Sequence, residues 1–461
     1  MHIVRVTGNV TVPAVPANEN IFGTGTGITV TLEGGSFTLS GTGSMLRIGS
    51  DQTVIARNIA LRGHANNNSP VVNVGKRGTF RMEGSASISD NHGGAVNPHH
   101  QDYMSASGVL VYGGNLIMQD SATVSGNIGR SISLTNVHYT VRVGLSGRSQ
   151  IAVATFVMQD NSSLGRNGVG ASIFGGTFTM QDNASVQGNT NAGVQVMPPR
   201  GIGGSGGTFT MQDNPSVSGN SNGGVIVSAG TFTMRDNSSV SGNTGGSWNG
   251  GGVTVGAGGL VASTFTMHDN ATVSRNTNRY DGGGVIIVHG TFTMRDNSSV
   301  SGNTASRRGG GVFFWHSNDS FFVMYGGTIS DNTSNIGGGV YVNNFGTFTM
   351  NNGTISRNVA AQNGGGVVLR GQAFTMNNGN ISGNRATQNG GGVHIVVGDG
   401  WQPATFTKSG GTIYGGNAEG NLRNTAARGA AIFHANGNWR NTTAGPTMNT
   451  GAFGFWLNEP N

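Results

Sequence analysis

The sequence has no cysteine, little charge and no long apolar run, and each shortage excludes a class of protein. Without Cys the chain can form neither a disulfide framework nor a thiolate-bound zinc site. Charged residues make up 10% of the chain, and its Lys and Arg are scattered, so the net charge of +6 does not indicate a nucleic-acid partner. No apolar run reaches the roughly 18 residues of a membrane-spanning helix, and we expect no membrane span.

A secretory signal peptide is not recognisable either. The N-terminal residues MHIVRVTGNVTV lack a basic segment followed by an apolar core and a cleavage site. If the protein is exported, we expect a signal that lies outside this sequence or another export route.

Glycine, in contrast, is abundant, and it accompanies an internal repeat. The 83 Gly residues do not recur at every third position, which excludes collagen. The stretch TFTMRDNSSVSGNT occurs at 231–244 and again at 291–304, with the near copy TFTMHDNATVSRNT at 264–277. Lys408 stands at the methionine position in TFTKSGGTI, and the methionine itself recurs at Met82, Met118, Met158, Met180, Met211, Met234, Met267, Met294, Met324, Met350 and Met376.

Each repeat contains three short alternating runs. In GGVIVSAGTFTMRDNSSVSGNT (223–244) the runs are V-x-V, F-x-M and S-x-V-S, each followed by Gly, Asn or Asp. Period-two alternation bounded by turn residues indicates β-strands, and no segment has helical periodicity. Three such strands cannot form a domain alone, but they can form one rung of a parallel β-solenoid. The sequence therefore predicts an all-β parallel β-helix with three short strands per rung and about 14 rungs.

Stacked rungs place equivalent residues in columns along the axis. The central strand predicts an inward Phe column at Phe178, Phe209, Phe232, Phe265, Phe292, Phe322, Phe348, Phe374 and Phe406. The third strand predicts a Val and Ile column at Val186, Val217, Val240, Val273, Val300, Ile329, Ile355, Ile381 and Ile413. We expect a hydrogen-bonded Asn ladder at Asn91, Asn127, Asn167, Asn189, Asn220, Asn243, Asn276, Asn303, Asn332, Asn358, Asn384 and Asn417. The GGG segments before the first strand predict tight corners.

The repeat suggests three regions. Residues 1–78 alternate without the TFTM signature and are predicted to be irregular N-terminal rungs or a cap. Residues 79–434 form the regular β-helix. Residues 435–461 break the pattern and concentrate the aromatics Trp439, Phe453, Phe455 and Trp456. A cap or docking segment is expected there, because a solenoid end exposes unpaired strand edges.

The repeats resemble those of a known group of proteins. GGGVYVNNFGTFTMNNGTISRNVA (337–360) is similar to the Gly/Asn-rich repeats of bacterial right-handed parallel β-helix surface proteins, and GGAV at 93–96 matches the repeat of polymorphic outer-membrane autotransporter passengers. The resemblance implies a right-handed coil, which is also the usual hand of parallel crossovers, and an exported, surface-associated or adhesive role. The pectate-lyase-like enzymes share this fold.

Carboxylates are therefore the first candidates for chemistry. Six Asp residues fall in one column, at Asp160, Asp182, Asp213, Asp236, Asp269 and Asp296. Neighbours about 5 Å apart have the separation of a retaining glycosidase. In later rungs, however, the same place holds Gly326, Asn351 and Asn377. A position that accepts Asp, Asn and Gly is typical of a turn, so we interpret the column as turn residues.

The better candidate is a binding patch on three consecutive loops. The segments TGGSWN (244–249), TNRYD (277–281) and TASRR (304–308) precede the glycine corners. They bring together two aromatic and three basic side chains, which can stack on sugar rings or anchor a protein: Trp248, Arg279, Tyr280, Arg307 and Arg308. The insertion NPHHQDY (97–103) lacks a spaced ligand set and is interpreted as a polar loop.

Outward Thr pairs give a minor alternative. The T-x-T pattern resembles the Thr arrays of β-solenoid ice-binding proteins, and Phe321, Val323 and Ala373 interrupt it. The pairs are Thr177/Thr179, Thr208/Thr210, Thr231/Thr233, Thr264/Thr266, Thr291/Thr293, Thr347/Thr349 and Thr405/Thr407.

Taken together, the sequence favours a non-enzymatic structural or adhesive β-solenoid, extracellular or at the cell surface. We expect no cofactor and no metal. We expect self-association, end to end or laterally, as in a surface filament, and a glycan or a cell-surface protein as partner. The alternative is a polysaccharide lyase or glycoside hydrolase.

Overall fold

The chain folds into stacked β-rungs in two units. The computed structural model describes residues 2–92, 106–143, 146–198, 206–258, 261–315, 319–396, 404–435, 439–440 and 448–450. The first unit comprises Met1–Ser221 with Ala229–Thr231, and the second comprises Asn222–Ser228 with Phe232–Asn461. Each unit is a right-handed parallel β-helix with about three short strands per rung, which confirms the predicted fold class.

Three parallel sheets, named here for their recurring residues, form the walls of the first unit. The Phe sheet consists of His2–Arg5, Thr29–Glu33, Thr53–Arg57, Thr79–Glu83, Asn115–Met118, Thr155–Met158, Thr177–Met180 and Thr208–Met211. The Ser sheet consists of Asn9–Val12, Ser36–Leu39, Ala60–Arg62, Ser87–Ser89, Thr123–Ser125, Ser163–Gly165, Ser185–Gln187 and Ser216–Ser218. The Val sheet consists of Leu46–Ile48, Val72–Val74, Val109–Tyr112, Arg130–Thr135, Val169–Phe174 and Val194–Met197. An antiparallel hairpin, Val137–Val143 with Ser146–Ala152, is inserted between two rungs.

The second unit repeats these sheets and adds a fourth. Its Phe sheet consists of Thr231–Met234, Ser263–Met267, Gly290–Met294, Ser320–Met324, Gly346–Met350, Ala373–Met376, Thr405–Lys408 and Met448–Thr450. Its Ser sheet consists of Ser239–Ser241, Thr272–Ser274, Ser299–Ser301, Thr328–Ser330, Thr354–Ser356, Asn380–Ser382 and Thr412–Ile413. Its Val sheet consists of Val225–Val227, Val253–Val255, Val285–Ile287, Val312–Phe314, Val340–Val342, Val367–Leu369, Val393–Ile395, Ile432–His434 and Trp439–Arg440.

The fourth sheet, here the edge sheet, was not predicted. Its six short strands lie between the Ser strand of one turn and the glycine corner that follows. They are Thr244–Gly245, Thr277–Asn278, Thr304–Ala305, Thr333–Ile336, Val359–Asn363 and Arg385–Ala386. In the described part of the chain the one helical segment is a 3-10 turn at Gly420–Leu422, and no described helix is long and apolar enough to cross a bilayer.

The Phe column is present and in register. Phe265 pairs with Phe292 across adjacent strands, and both side chains are fully buried. Their ring centroids lie 4.8 Å apart with the planes 7° from parallel. Such a stack contributes about 0.5–1.5 kcal/mol beyond the burial of its area. The Met and Val columns are buried as predicted, and Lys408 occupies the Met column at 1% exposure.

The Asn column forms the predicted ladder, with one correction at its end. Asn384 donates its backbone and side-chain N–H groups to Oδ1 of Asn424, not of Asn417, which is exposed. The sequence-based choice was wrong because Tyr414 leads into an inserted loop that contains the 3-10 turn. The ladder resumes only after that loop, where Asn424 is fully buried.

The backbone geometry of the corners requires glycine at these positions. Gly309 has φ +64°, a conformation that glycine adopts at low cost. A Cβ on Gly310 would lie 2.5 Å from the carbonyl oxygen of Gly338 in the next rung. The first glycine therefore turns the chain, and the second lets adjacent rungs approach each other closely.

The edge sheet creates a second hydrophobic cluster. The alternation of the V-x-V strands points their middle residues outward, yet Ile286, Phe313, Tyr341 and Val368 are buried together. The loops that carry the edge strands fold over this outer face of the Val sheet. Three parallel sheets thus enclose the main core, and the edge loops cover one of them from outside.

The outer regions continue these sheets. Strands before residue 79 pair in parallel with the rungs that follow, as Thr53–Arg57 does with Thr79–Glu83. In the predicted C-terminal cap, Met448–Thr450 runs antiparallel to Phe406–Lys408, and Trp439–Arg440 runs antiparallel to Ile432–Phe433. The aromatics Phe453, Phe455 and Trp456 lie outside the described residues. The boundaries at 78 and 434 stay predictions.

Candidate functional site

The aspartate column lies at the turns between the Phe and Ser sheets. Asp236, Asp269 and Asp296 have φ between 51° and 53°, in the left-handed region. The carboxylate of Asp269 accepts the backbone N–H of Asp236 at 3.2 Å, and that of Asp296 accepts the backbone N–H of Asp269 at 3.1 Å. In the first unit the same bond joins the N–H of Asp160 to Asp182 at 3.1 Å. These carboxylates thus connect one turn to the next.

The later rungs use a different turn, which corrects the sequence alignment. Asn351 and Asn377 directly follow the column Met, as Arg295 does, so they do not take the place of the Asp residues. Gly326 lies against the backbone of Asp296, but from this rung onward the connection to the Ser strand is one residue shorter. The positive φ has moved to the glycine that follows, with 82° at Gly327 and 109° at Gly353. These positions are turn residues, as predicted. The Asp rungs and the later Gly rungs, however, place the residue with positive φ at different positions of the turn.

The predicted patch is brought together on one edge of the second unit. The backbone N–H of Arg307 donates to the carbonyl of Tyr280 at 2.9 Å, so these two residues lie on adjacent rungs. The side-chain amide of Asn278 donates to the carbonyl of Asn249 at 2.8 Å, which places the Trp248 loop one rung away. Trp248 is 72% exposed and Tyr280 is 41% exposed. Arg279 and Arg307 are exposed as well.

Arg308 does not belong to this exposed surface. Its guanidinium forms a two-pronged ion pair with Asp281, with both N–O distances at 2.9 Å, and Asp281 is 2% exposed. It also lies over the rings of Phe313 and Tyr341, at 5.0 and 5.5 Å from their centroids. Burial by itself would lower the pKa of Arg308, but its hydrogen bonds to Asp281 and the charge of that carboxylate outweigh burial and raise the pKa. Arg308 therefore anchors the loop from inside.

Sequence reasoning missed Trp315 as a member of the patch. Its ring lies 5.5 Å from that of Trp248 and 5.8 Å from that of Phe313. Trp315 thus links the exposed aromatic group to the buried cluster. Trp315 directly follows the strand Val312–Phe314, two rungs beyond Trp248, and this position could have indicated the contact. A contact across two rungs can be predicted only when the register of the strands is known. The result is a surface of exposed aromatic and guanidinium groups above a cluster of buried side chains.

A separate groove of about 580 Å³ lies on the outer face of the Ser sheet in the first unit. Its lining offers hydroxyls, one amide and one guanidinium, groups that hold a ligand by hydrogen bonds, and none of the described lining residues is a carboxylate. The lining consists of Thr123, Ser125, Ser163, Gly165, Arg166, Gln187, Gly188, Ser218 and Gly219.

Two histidines lie near the end of the Val sheet in the second unit. His394 is 8% exposed, its Nδ1 has no hydrogen-bond partner, and its ring lies 5.3 Å from that of Phe433. Burial, with a smaller contribution from the charge of His434, lowers the pKa of His394 to about 4. The pKa of His434 is lowered by burial too. His394 is therefore neutral at physiological pH.

Within the described residues no group of three or more His, Asp and Glu side chains is arranged to hold a metal ion. The insertion NPHHQDY (97–103), with His99, His100, Asp102 and Tyr103, lies outside the described residues.

Comparison with known proteins returns no relative. No protein-family model, no curated protein and no solved structure matches this sequence. The fold and the geometry of the patch are therefore the basis for assigning a function.

Proposed function

We propose that this chain is a non-enzymatic structural and adhesive β-solenoid of the extracellular space or cell surface. The observation that carries the proposal is the use of the aspartate column. The carboxylates of Asp182, Asp269 and Asp296, the obvious catalytic candidates, accept backbone N–H groups of the preceding turn. A group that holds the backbone is poorly placed to act as acid, base or nucleophile.

The adhesive element of this proposal is the exposed patch. Trp248 and Tyr280 offer aromatic faces, and Arg279 and Arg307 offer guanidinium groups whose planar donors suit carboxylates and sulfates. The buried cluster beneath holds their loops in place, which lowers the entropy lost on binding. The preferred partner is thus an acidic glycan or an acidic protein surface.

A binding assay tests the patch. Wild type and the variant Trp248→Ala/Arg279→Ala/Arg307→Ala are applied to immobilised acidic and neutral glycans. We expect the wild type to bind acidic glycans and the variant to lose at least about tenfold in affinity. Leu422→Ala, which removes an exposed side chain elsewhere in the unit, is the control and should bind like the wild type. Equal binding by all three proteins would refute the patch.

Self-association in a filament is the structural part of the proposal. Within the chain each rung pairs with the next through parallel strands. A second copy of the chain carries rungs of the same kind, which can pair in the same way. Electron microscopy of the purified protein over a range of concentrations tests this. Isolated particles at every concentration, with a monomer mass in solution, would contradict it.

A polysaccharide lyase or glycoside hydrolase is the alternative from the enzyme class. An activity screen on acidic and neutral polysaccharides decides between the two. Depolymerisation that disappears on replacing one or two carboxylates would favour the enzyme and overturn the proposal above.

Ice binding is a minor alternative that one observation favours. On the Phe sheet Thr264 pairs with Thr291, and Thr266 with Thr293, so the outward hydroxyls form rows in register. Phe321 and Val323 interrupt these rows in the next strand. A measurement of thermal hysteresis tests the idea, and freezing at the same temperature as a control protein would remove it.

A further inference from the structure

One strand departs from the outward pattern of the Phe sheet. The strand Ser320–Met324 reads SFFVM and is followed by Tyr325. Phe322 and Met324 take the inward positions of the repeat and are fully buried. Phe321 is 40% exposed and Tyr325 is 48% exposed.

These outward side chains form a stripe across the sheet, here the aromatic stripe Phe321–Val323–Tyr325. Since a strand rises by about 3.3 Å per residue, the stripe spans about 13 Å. Phe321 lies between Thr291 and Thr347, its register partners on the adjacent strands.

The middle and the far end of the stripe are equally well defined. Val323 lies between Thr293 and Thr349. The backbone N–H of Asn351 donates to the carbonyl of Met324, so Asn351 lies next to Tyr325 in the following rung. On the other side the Arg295 guanidinium lies 4.4 Å from the centre of the Tyr325 ring.

Packing within the rung does not explain these residues. The rungs on either side have Thr at the places of Phe321 and Val323, and Arg295 and Asn351 at the place of Tyr325. Phe322 and Met324 fill the inward positions of this rung. Aromatic rings left on a strand surface expose apolar area to water. An exposed apolar group at a defined place often marks an interaction site.

We propose that the aromatic stripe binds an extended, uncharged glycan chain. The apolar C–H face of a sugar ring stacks on an aromatic face, whose π electrons carry partial negative charge. The flanking Thr hydroxyls and the side-chain NH2 of Asn351, whose Oδ1 accepts from Asn377, can hydrogen-bond the equatorial hydroxyls of the same sugars. Phe321 and Val323, bordered on both sides by neutral Thr hydroxyls, fit a polyhydroxylated chain, and Tyr325 extends this surface beside Arg295.

Charge and size favour this occupant over others. Arg295 lies beside Tyr325 at one end and the exposed Asp319 precedes the strand at the other, so the two ends of the stripe carry opposite charges. A stable protein interface buries about 800 Å² on each partner, which three side chains on a flat sheet do not supply. The stripe is separate from the patch around Trp248 and does not depend on it.

The test replaces the stripe with the residues of its neighbours. In Phe321→Thr/Val323→Thr/Tyr325→Asn each new residue is the one present in the next rung, so the fold is expected to persist, with its circular dichroism and melting temperature unchanged. Retention on insoluble cellulose, chitin and xylan is measured for wild type and variant, and affinity is measured with soluble oligosaccharides of whichever polymer binds.

We expect wild type to be retained on at least one polymer and the variant to bind at least about tenfold more weakly. Trp248→Ala should keep full retention, which separates this site from the patch. Two results would overturn the proposal: no retention of the wild type on any of the three polymers, or equal retention of wild type and variant. A wild type that sediments as a dimer, with a monomeric variant, would show that the stripe is a self-association surface and would likewise overturn it.

Discussion

The side-chain nitrogen of Asn276 lies 3.0 Å from the amide oxygen of Asn303, its counterpart one rung along. The backbone N–H of Asn276 donates to the same oxygen at 3.0 Å, and the side-chain nitrogen also donates to the carbonyl of Val240 at 3.0 Å. Each amide therefore connects three consecutive rungs through buried groups. A bond of this kind becomes costly when one partner is removed, because the other is left unsatisfied away from water.

Replacement of Asn303 by alanine should expose that cost. The substitution removes the acceptor of two donors on Asn276 and the donor to the Val273 carbonyl. We expect the free energy of unfolding to fall by about 2–3 kcal/mol in urea unfolding followed by circular dichroism. Asn297→Ala changes an exposed Asn in the same turn of the repeat and should cost less than about 0.5 kcal/mol. Equal effects of the two would show that the ladder contributes little.

Arg307 and Arg308 are adjacent in sequence but should respond differently to replacement. Arg308→Ala leaves the carboxylate of Asp281 buried without its partner, and such a loss costs about 3–5 kcal/mol. Arg307→Ala should change stability by less than about 0.5 kcal/mol, because that side chain is exposed. Thermal and urea unfolding of both variants measure the difference. A small effect of Arg308→Ala would mean that the ion pair is not needed to hold the loop.

Acid should destabilise the second unit through His394. The pKa of His394 is about 4 in the folded state against 6.5 for an unperturbed His, so between these values the unfolded chain binds a proton that the folded chain does not. The free energy of unfolding therefore does not depend on His394 above pH 6.5. It falls by about 3 kcal/mol as the pH drops from 6.5 toward 4, because protons then favour the unfolded chain.

His394→Val tests that loss, since valine is the register partner in the preceding strand, Val368. We expect the variant to lose less stability than wild type between pH 6.5 and 4, when unfolding is measured at several pH values. His92→Asn, which replaces an exposed His, should follow the wild-type curve. Parallel curves for wild type and His394→Val would contradict the assignment.

Replacing Lys408 by methionine, the usual residue of its column, should stabilise the fold. Burial lowers the pKa of Lys408, whose Nζ donates to the Gly411 carbonyl at 2.8 Å. Lys408→Met should raise the free energy of unfolding by about 1–2 kcal/mol at pH 7. Because the folded state disfavours the charged form, the advantage of Met should shrink as the pH rises from 7 toward the ordinary lysine value of 10.5. An advantage that grows with pH would show that the sign is wrong.

The main core could be predicted because equivalent positions of a sequence repeat give the register of the stacked strands. Phe265 and Phe292 occupy the same position of two nearly identical repeats, and a coil that stacks these repeats in register must bring the two residues together. The Asp turns and glycine corners follow from the same logic, since few other residues adopt a positive φ.

The edge sheet could not be read in the same way. A strand as short as Thr277–Asn278 has no alternation to detect. If the edge sheet is not known, the alternation of the V-x-V runs places their middle residues toward solvent. The burial of Ile286 and Phe313 depends on loops folding back over them, which is a tertiary effect.

The patch was predicted in position but not in detail. Asp281 and Arg308 both directly precede a glycine corner, so an alignment of the corners would have placed them opposite each other. Arg307 carries the same charge one residue earlier and faces solvent instead. Likewise the predicted ladder ends at Asn417 because spacing alone does not reveal the inserted loop before Asn424.

The Asn ladder also has a polarity. In the bonds between successive Asn residues, the N–H groups of each Asn donate to the amide oxygen of the Asn in the rung that follows, as Asn276 does to Asn303 and Asn358 does to Asn384. Two molecules meeting head to head would oppose acceptor to acceptor, whereas head-to-tail contact would continue the chain of donors. A polymer of this protein that extends the ladder would therefore have two different ends, and growth at one would not mirror growth at the other.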